Sequence, residues 1–294
     1  MYSSCITKMP ELPEVETIVR NLRPELVGRR IEKADLLWPR TLASPTPAKF
    51  KKQIAGQEIV SVTRRAKYIN LQLSDFNLFV HLRMSGDLYI KEGKAASEKH
   101  DRLILYLTPG PFAKHPRGAP ERSGEGNGSK LVFNDTRKFG RVWLVRDPDE
   151  VVGGLGPEPL GEEFTAQMLY DGLQSRHRQL KPLLLDQSFL AGMGNIYTDE
   201  ALHIARLHPL APSDSVDPEQ AGALWGAVRE VLQEGIRRNG ASIDWVYRGG
   251  EFQNYFRVYD RAGQPCLVCG TAIERLVVGQ RGTHICPNCQ RKRS

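Results

Sequence analysis

Two groups of residues stand out for the chemistry their types and spacing permit. The first is Met9-Pro10-Glu11-Leu12-Pro13-Glu14-Val15-Glu16, where a proline is followed at once by an acid and a helix start. A proline at a chain terminus carries a secondary amine, and an α-amine has a pKa of about 8, so a useful fraction is unprotonated at neutral pH. A lysine ammonium, at about 10.4, is mostly protonated unless desolvated. Inside a chain the same proline nitrogen is an unreactive amide, and Pro10 as written is internal. The second group is Cys266-Leu267-Val268-Cys269 and Cys286-Pro287-Asn288-Cys289, two knuckles separated by sixteen residues. Four thiolates at that spacing make a tetrahedral site suited to one zinc ion. Four protein ligands leave no open position, so the metal is structural.

Single residues add to these groups. Glu11 could donate or accept a proton, although acids at a helix start more often only complement the helix dipole. Lys67 closes the basic stretch Arg64-Arg65-Ala66-Lys67 and, taken alone, reads as a solvated face. Lys181 precedes Pro182 and an apolar run and is unremarkable by itself. Arg281 lies between the knuckles in Gly279-Gln280-Arg281-Gly282-Thr283, and a basic tip on a metal-bound hairpin suits phosphate contact. Gly192-Met193-Gly194-Asn195-Ile196-Tyr197 leads into a helix. It is either an anion-binding helix start or an ordinary tight turn capped by Asn195.

The elements that must position these residues fall into two styles. Residues 13–23 read as a helix, with Pro13 and Glu14 at its start and Val15, Ile18, Val19 and Leu22 at helical spacing. From 57 to 145 the period is two: Ile69, Leu71 and Leu73, then Leu78, Val80 and Leu82, then Leu103, Leu105 and Leu107. Leu131 with Phe133 and Val142 with Leu144 continue the series, which predicts an antiparallel sandwich or barrel. Residues 109–129, rich in Gly, Pro and charge, read as a surface loop. After Pro159 helices are predicted at 164–173, 195–207 and 218–239, the last stopped by Gly240. The cysteine hairpin at the end is too short to fold without its metal.

The totals agree. The chain has 294 residues, 40% hydrophobic and 26% charged, with a net charge of +7 and a pI near 9.2. That length suits two domains, and the excess base favours polyanion partners. No apolar run approaches the roughly 20 residues of a membrane span. The segment 1–8, which holds the fifth cysteine, Cys5, lacks the apolar core of a signal peptide. The expected location, by default, is the cytoplasm or the nucleoid.

Taken in order, the motifs resemble the formamidopyrimidine-DNA glycosylase family. They are Pro10-Glu11-Leu12-Pro13-Glu14-Val15-Glu16, Arg65-Ala66-Lys67-Tyr68, His81-Leu82-Arg83-Met84-Ser85-Gly86, Asp135-Thr136-Arg137-Lys138-Phe139-Gly140 and Leu155-Gly156-Pro157-Glu158-Pro159-Leu160. Lys181-Pro182, Gly194-Asn195-Ile196-Tyr197 and the stretch 258–290 complete the set. The resemblance implies an α+β fold. A β-sandwich catalytic domain with a leading helix would span 10–150, a helix-two-turn-helix DNA-binding domain 151–260, and a four-cysteine zinc finger 261–294. It implies a bifunctional DNA glycosylase and AP lyase, acting as a monomer on duplex DNA that contains oxidised purines.

The resemblance also assigns roles. Pro10 would attack the sugar and form a Schiff base, after which β,δ-elimination cuts the strand. Glu11 would move protons at the sugar. Lys67 would act near the damaged base and its phosphate, and Lys181 in recognition of that base. His81, Asn195 and Arg281 would hold phosphates. Met84, Arg137 and Phe139 would fill the void left by the extruded base, bond the orphaned cytosine and wedge beside it. Cys266, Cys269, Cys286 and Cys289 would bind zinc.

Two other functions fit parts of the pattern. An endonuclease VIII-like enzyme for oxidised pyrimidines shares the fold, the zinc module and the terminal proline. A non-catalytic zinc-dependent damaged-DNA-binding protein would need loss of Pro10 or Glu11, and both are present. The chain departs from the family pattern in three places. The segment 109–129 is long, residues 244–253 are short for a base-capping loop, and residues 1–9 precede the proline. The active protein is expected to lack that leader, through initiation at Met9 and methionine removal.

Overall fold

The structure is a computed structural model and describes residues 9–91, 95–109, 128–242 and 249–292. The leader 1–8, most of the 109–129 segment and residues 244–248 of the shortened loop lie outside the described residues. The chain divides into two compact units. One comprises residues 15–153; the other comprises residues 1–14 together with 154–294.

The helix predicted at 13–23 is α1, Leu12–Leu26. It runs three residues further than predicted, through Pro24, because Leu26 is fully buried and anchors the last turn. The strands of the β unit are β1 (Ile31–Leu36), β2 (Leu42–Ser44), β3 (Ile59–Arg65), β4 (Tyr68–Leu73), β5 (Asn77–His81), β6 (Gly86–Lys91), β7 (Asp101–Leu107), β8 (Lys130–Asp135) and β9 (Arg141–Val145). Helix α2, Pro47–Ile54, lies between β2 and β3, and α3, Asp149–Val152, follows β9. They form a four-stranded sheet in the order β1-β7-β8-β6 and a five-stranded sheet in the order β2-β9-β5-β4-β3. All strand pairs here are antiparallel except the short β2–β9 pair, which is parallel. The period-two reading holds in β4: Ile69, Leu71 and Leu73 are buried, and the polar residues between them are not. Strands β5 and β7 are buried on nearly every residue, so their pattern approaches a continuous apolar run. The 31–54 stretch, for which no element was predicted, holds β1, β2 and α2.

The helical unit contains α4 (Ala166–Gln174), α5 (Leu180–Leu184), α6 (Asn195–Ile204) and α7 (Pro218–Arg237), followed by the hairpin β10 (Glu274–Val278) and β11 (Arg281–Ile285). Thr165 caps α4 by accepting from the Met168 N–H. Asp217 and Gln220 form a reciprocal capping box at the start of α7. Helix α6 ends three residues before the predicted 207. Arg206 takes a left-handed backbone (φ +55°), and the Leu207 N–H turns back to the Leu202 carbonyl at 3.0 Å.

Helix α6 is the axis of this unit. Every residue from Ile196 to His203 is buried. An apolar stripe is therefore not enough, and its polar members need partners. Ile196, Tyr197, Ala201 and Leu202 join Leu12, Leu183, Leu224 and Val228 in one core. Thr198, Asp199, Glu200 and His203 are buried among them.

Candidate functional site

In the helical unit, Pro10 and Glu11 are both buried, directly before α1. The Glu11 carboxylate sits on the N-terminus of α6: one oxygen accepts from the Ile196 N–H at 2.9 Å, the other from the Tyr197 N–H at 3.4 Å. The first amides of a helix point outward from its start, and the dipole there favours a negative group. Gly194 makes the seat possible. A Cβ at that position would lie 2.2 Å from the Glu11 carboxyl carbon. The glycine-rich start of α6 thus receives an anion, but the anion is a side chain of the same chain.

Glu14 fixes the approach from the other side. Its Oε1 accepts from the Tyr197 hydroxyl and the Ala241 N–H, both at 2.7 Å, and its Oε2 accepts from the Glu11 N–H at 2.9 Å. Burial raises its pKa, and these hydrogen bonds oppose that rise. Gly240, with φ +78°, leaves room for this carboxylate.

Asn195, Lys181 and Arg281 meet around the β10–β11 hairpin. The Asn195 side-chain amide donates to the Gly282 carbonyl at 3.0 Å. The Lys181 ammonium is fully buried and donates to Asp199 Oδ1 at 2.5 Å, Thr283 Oγ1 at 2.8 Å and the Gly282 carbonyl at 3.1 Å. Burial lowers its pKa, and Asp199 works against that shift. The second Asp199 oxygen accepts from the His284 N–H at 2.9 Å. Arg281, at the start of β11, is exposed, so a buried network carries a solvent-facing guanidinium.

The four cysteine sulfurs lie within 4.8 Å of one another. A zinc ion with Zn–S bonds of about 2.3 Å requires S···S separations of about 3.8 Å, so the group fits a tetrahedral thiolate site. Backbone N–H groups point at two of the sulfurs, Val268 to Cys266 and Cys289 to Cys286, each at 3.4 Å.

In the β unit, Lys67 is buried in the two-residue turn between β3 and β4, where Ala66 adopts φ +51°. His81 ends β5, buried against Tyr68 with ring centroids 4.7 Å apart. The Arg83 N–H donates to its Nδ1 at 3.1 Å, so the ring proton resides on Nε2. Burial, with Arg83 and Lys67 nearby, lowers its pKa to about 3 and keeps the ring neutral. Met84 and Arg137 are brought together, with Arg137 Nη1 4.0 Å from the Met84 sulfur. Phe139 is 53% exposed, unusual for so large an apolar ring.

Three family models match the chain. They are the formamidopyrimidine-DNA glycosylase N-terminal domain over residues 9–142, the formamidopyrimidine-DNA glycosylase H2TH domain over 155–246, and a zinc finger found in FPG and IleRS over 263–291. A formamidopyrimidine-DNA glycosylase of Chloroflexus aurantiacus is 45% identical over 290 residues, covering 96% of this chain and 98% of that one. The chain belongs to the formamidopyrimidine-DNA glycosylase family. A second relative of that name, from Protochlamydia amoebophila, is 42% identical and covers 97% of this chain and 100% of its own. A structure of MutM in complex with carbocyclic 8-oxo-G containing DNA superposes with a TM-score of 0.84 at 34% identity, over 96% of this chain and 100% of that chain. The α+β class, the helical H2TH domain and the four-cysteine zinc finger expected from the sequence are all present. No helix among the described residues is long and apolar enough to cross a membrane.

Several residues that hold this glycosylase's candidate site escaped the sequence reading. Asp135 is fully buried: Oδ1 accepts from the Ser85 hydroxyl and from the Arg137 N–H at 3.2 Å, and Oδ2 accepts from the Gly140 N–H at 2.7 Å. It thereby ties the turn bearing Arg137 and Phe139 to the turn bearing Met84. Gly140 is required there, since a Cβ would lie 2.3 Å from the Phe133 ring. Glu200 accepts the N–H groups of Arg257, Val258 and Tyr259 within 2.9 Å, anchoring the chain as it enters the zinc finger. Asp135 and Glu14 lie inside recognised motifs, which was the available signal; Asp199 and Glu200 gave none beyond two adjacent acids in a predicted helix.

Proposed function

We propose that this chain excises oxidised purines, 8-oxoguanine and formamidopyrimidines, from duplex DNA as a bifunctional glycosylase and AP lyase in base excision repair. Its place would be the bacterial cytoplasm, on nucleoid DNA. The observation that carries the reading is the Pro10–Glu11 pair, with a nucleophile candidate joined to a carboxylate whose position is set by the α6 amides. In this reading the Pro10 nitrogen attacks C1′ of the damaged nucleoside. The C1′–N bond breaks, its electron pair leaves with the base, and the base takes up a proton. Glu11 moves protons at the sugar as the ring opens to an iminium ion. Loss of a 2′ proton expels the 3′ phosphate, a further elimination expels the 5′ phosphate, and hydrolysis frees Pro10.

The base must first leave the stack, at a cost of a few kcal/mol. Met84, Arg137 and Phe139 would offset that cost by occupying the void, bonding the orphaned cytosine and wedging beside it. The contact between Met84 and Arg137 and the exposure of Phe139 support this. Lys67, His81, Asn195 and Arg281 would hold the phosphates, His81 as a neutral Nε2–H donor. Lys181 would reach a base only by leaving Asp199, so its contribution here is to hold the hairpin that presents Arg281. Zinc, when bound, supplies the fold of the finger and no step of the reaction.

The amine chemistry requires that the Met9–Pro10 peptide bond be absent from the active form. The test is borohydride trapping with chains that begin at Met1 and at Pro10. Duplexes would carry 8-oxoguanine opposite cytosine or thymine glycol. The Pro10 form should trap efficiently on 8-oxoguanine and the Met1 form should not. Preferential trapping on thymine glycol would shift the substrate to oxidised pyrimidines, and trapping by an intact Met1 chain would remove Pro10 as the nucleophile.

A further inference from the structure

We propose that His203 is an outer-shell donor to the metal centre: its Nε2–H bonds the Cys266 sulfur and ties the last turn of α6 to the first cysteine knuckle. The proposal concerns metal retention and does not rest on the substrate reading. His203 is 2% exposed, and its Nε2 lies 3.5 Å from Cys266 Sγ. Among the described residues, its buried Nδ1 has no hydrogen-bond partner. A neutral imidazole carries one N–H. Placed on Nδ1, that proton would be a buried donor without an acceptor, and the Nε2 lone pair would face the sulfur. Placed on Nε2, it meets an acceptor. A charged ring would carry a proton on Nε2 as well, so the donor faces the sulfur in either charge state.

The acceptor has reason to need it. Four thiolates around a divalent ion leave a net charge of about −2 on the cluster, and Cys266 and Cys286 are both buried. Buried charge needs hydrogen bonds. The Cys266 sulfur already receives the Val268 amide, and His203 supplies a second donor from a different element. Arg206, Arg257 and Arg261 set positive potential around the ring. Outer-shell donors of this kind orient a ligand and lower the tendency of its sulfur to take a proton and leave the metal.

The test uses the full chain loaded with zinc. His203→Phe keeps a planar ring and removes the donor; His203→Gln restores an N–H near the Nε2 position. Zinc transfer to an excess of a chromogenic chelator should be about tenfold faster or more in His203→Phe, and within about threefold of the parent in His203→Gln. In the cobalt-substituted protein, the thiolate-to-cobalt charge-transfer band should move to lower energy in His203→Phe alone. Equal release from parent and His203→Phe, or equal acceleration in both variants, would overturn the proposal. Where His203→Phe does not fold, the parent decides by long-range proton–nitrogen correlation of the imidazole. A proton on Nε2 supports the assignment, and a proton on Nδ1 with a bare Nε2 overturns it.

Discussion

The exposed turn of the β unit and the buried cluster of the helical unit handle their candidate residues in opposite ways. In the β unit, Arg137 and Phe139 stand exposed on a turn, with Lys138 between them in a left-handed backbone (φ +64°). Asp135 and Ser85 pin that turn from below. In the helical unit, Pro10, Glu11 and Lys181 are buried, and Glu11 and Lys181 are hydrogen-bonded to elements far away in sequence. Exposed side chains on braced turns can meet a large partner without disturbing the fold. Buried, bonded groups hold a geometry that a reaction needs, at the cost of tolerating almost no change. The comparison predicts that substitutions at the buried residues of the helical unit damage rate or stability, whereas those at the exposed residues of the β-unit turn damage recognition alone.

The largest expected effect is on chemistry. Pro10→Gly and Glu11→Gln should each slow single-turnover base release by about 10³-fold or more, with duplex affinity nearly unchanged. Loss of binding in proportion to rate would erase the division of labour. Next is Lys181→Met, which leaves the Asp199 carboxylate buried without its cation. Removing one partner of a buried pair costs about 3–5 kcal/mol, readable in urea unfolding. A loss below 1 kcal/mol would show that water replaces the ammonium.

The buried His81 makes the β unit sensitive to acid. Its pKa is about 3 in the folded chain and about 6.5 when unfolded, so only the unfolded state takes up a proton between those values. Stability is therefore full above about 6.5 and falls as pH drops toward 3, by roughly 3–5 kcal/mol across the window. Imidazole nitrogen shifts followed by NMR should show a neutral ring at pH 5; protonation at that pH would contradict the assigned burial. Glu14→Gln is milder. An amide can accept the Tyr197 and Ala241 bonds but turns a donor toward the Glu11 N–H, costing about 1–3 kcal/mol. Smallest in stability is Phe139→Ala: within about 0.5 kcal/mol for an exposed ring, yet with about 1–3 kcal/mol lost in binding a lesion duplex through stacking. A Phe139→Ala protein that unfolds early would mean the ring is a core residue.

What the sequence disclosed follows the range of the forces involved. The knuckles were legible because Cys266 with Cys269 and Cys286 with Cys289 are local pairs. Helix α7 was legible from its apolar face and from Gly240, all within a few turns, whereas its Asp217 cap was not read. Strand β4 showed its period because one face is wetter than the other, whereas β5 and β7, read with the same period, are buried on nearly every residue. The acceptors that hold the site were not legible, because their partners are distant. Glu14 reaches the Ala241 amide across 227 positions, and Glu11 reaches Ile196 across 185. A carboxylate that accepts backbone amides looks in sequence like any solvated acid. Lys181 was singled out by motif, but its full burial depends on Asp199 and Thr283, which no local pattern links to it. The end of α6 at Ile204 depended on Arg206 adopting a backbone that sequence would sooner assign to glycine or asparagine.

Helix α6 gives these contacts a common frame. Ten residues carry the seat of Glu11 at one end, Asp199 and Glu200 in the middle and His203 at the other. Proline end, β10–β11 hairpin and cysteine knuckle therefore take their coordinates from one short rod. Mutational costs at Glu11, Lys181, Glu200 and His203 should then not sum: a second lesion on a rod already displaced costs less than it does alone. Substitutions here are expected to be epistatic over distances at which independent sites would be additive, and divergence along this helix should proceed by paired rather than single replacements.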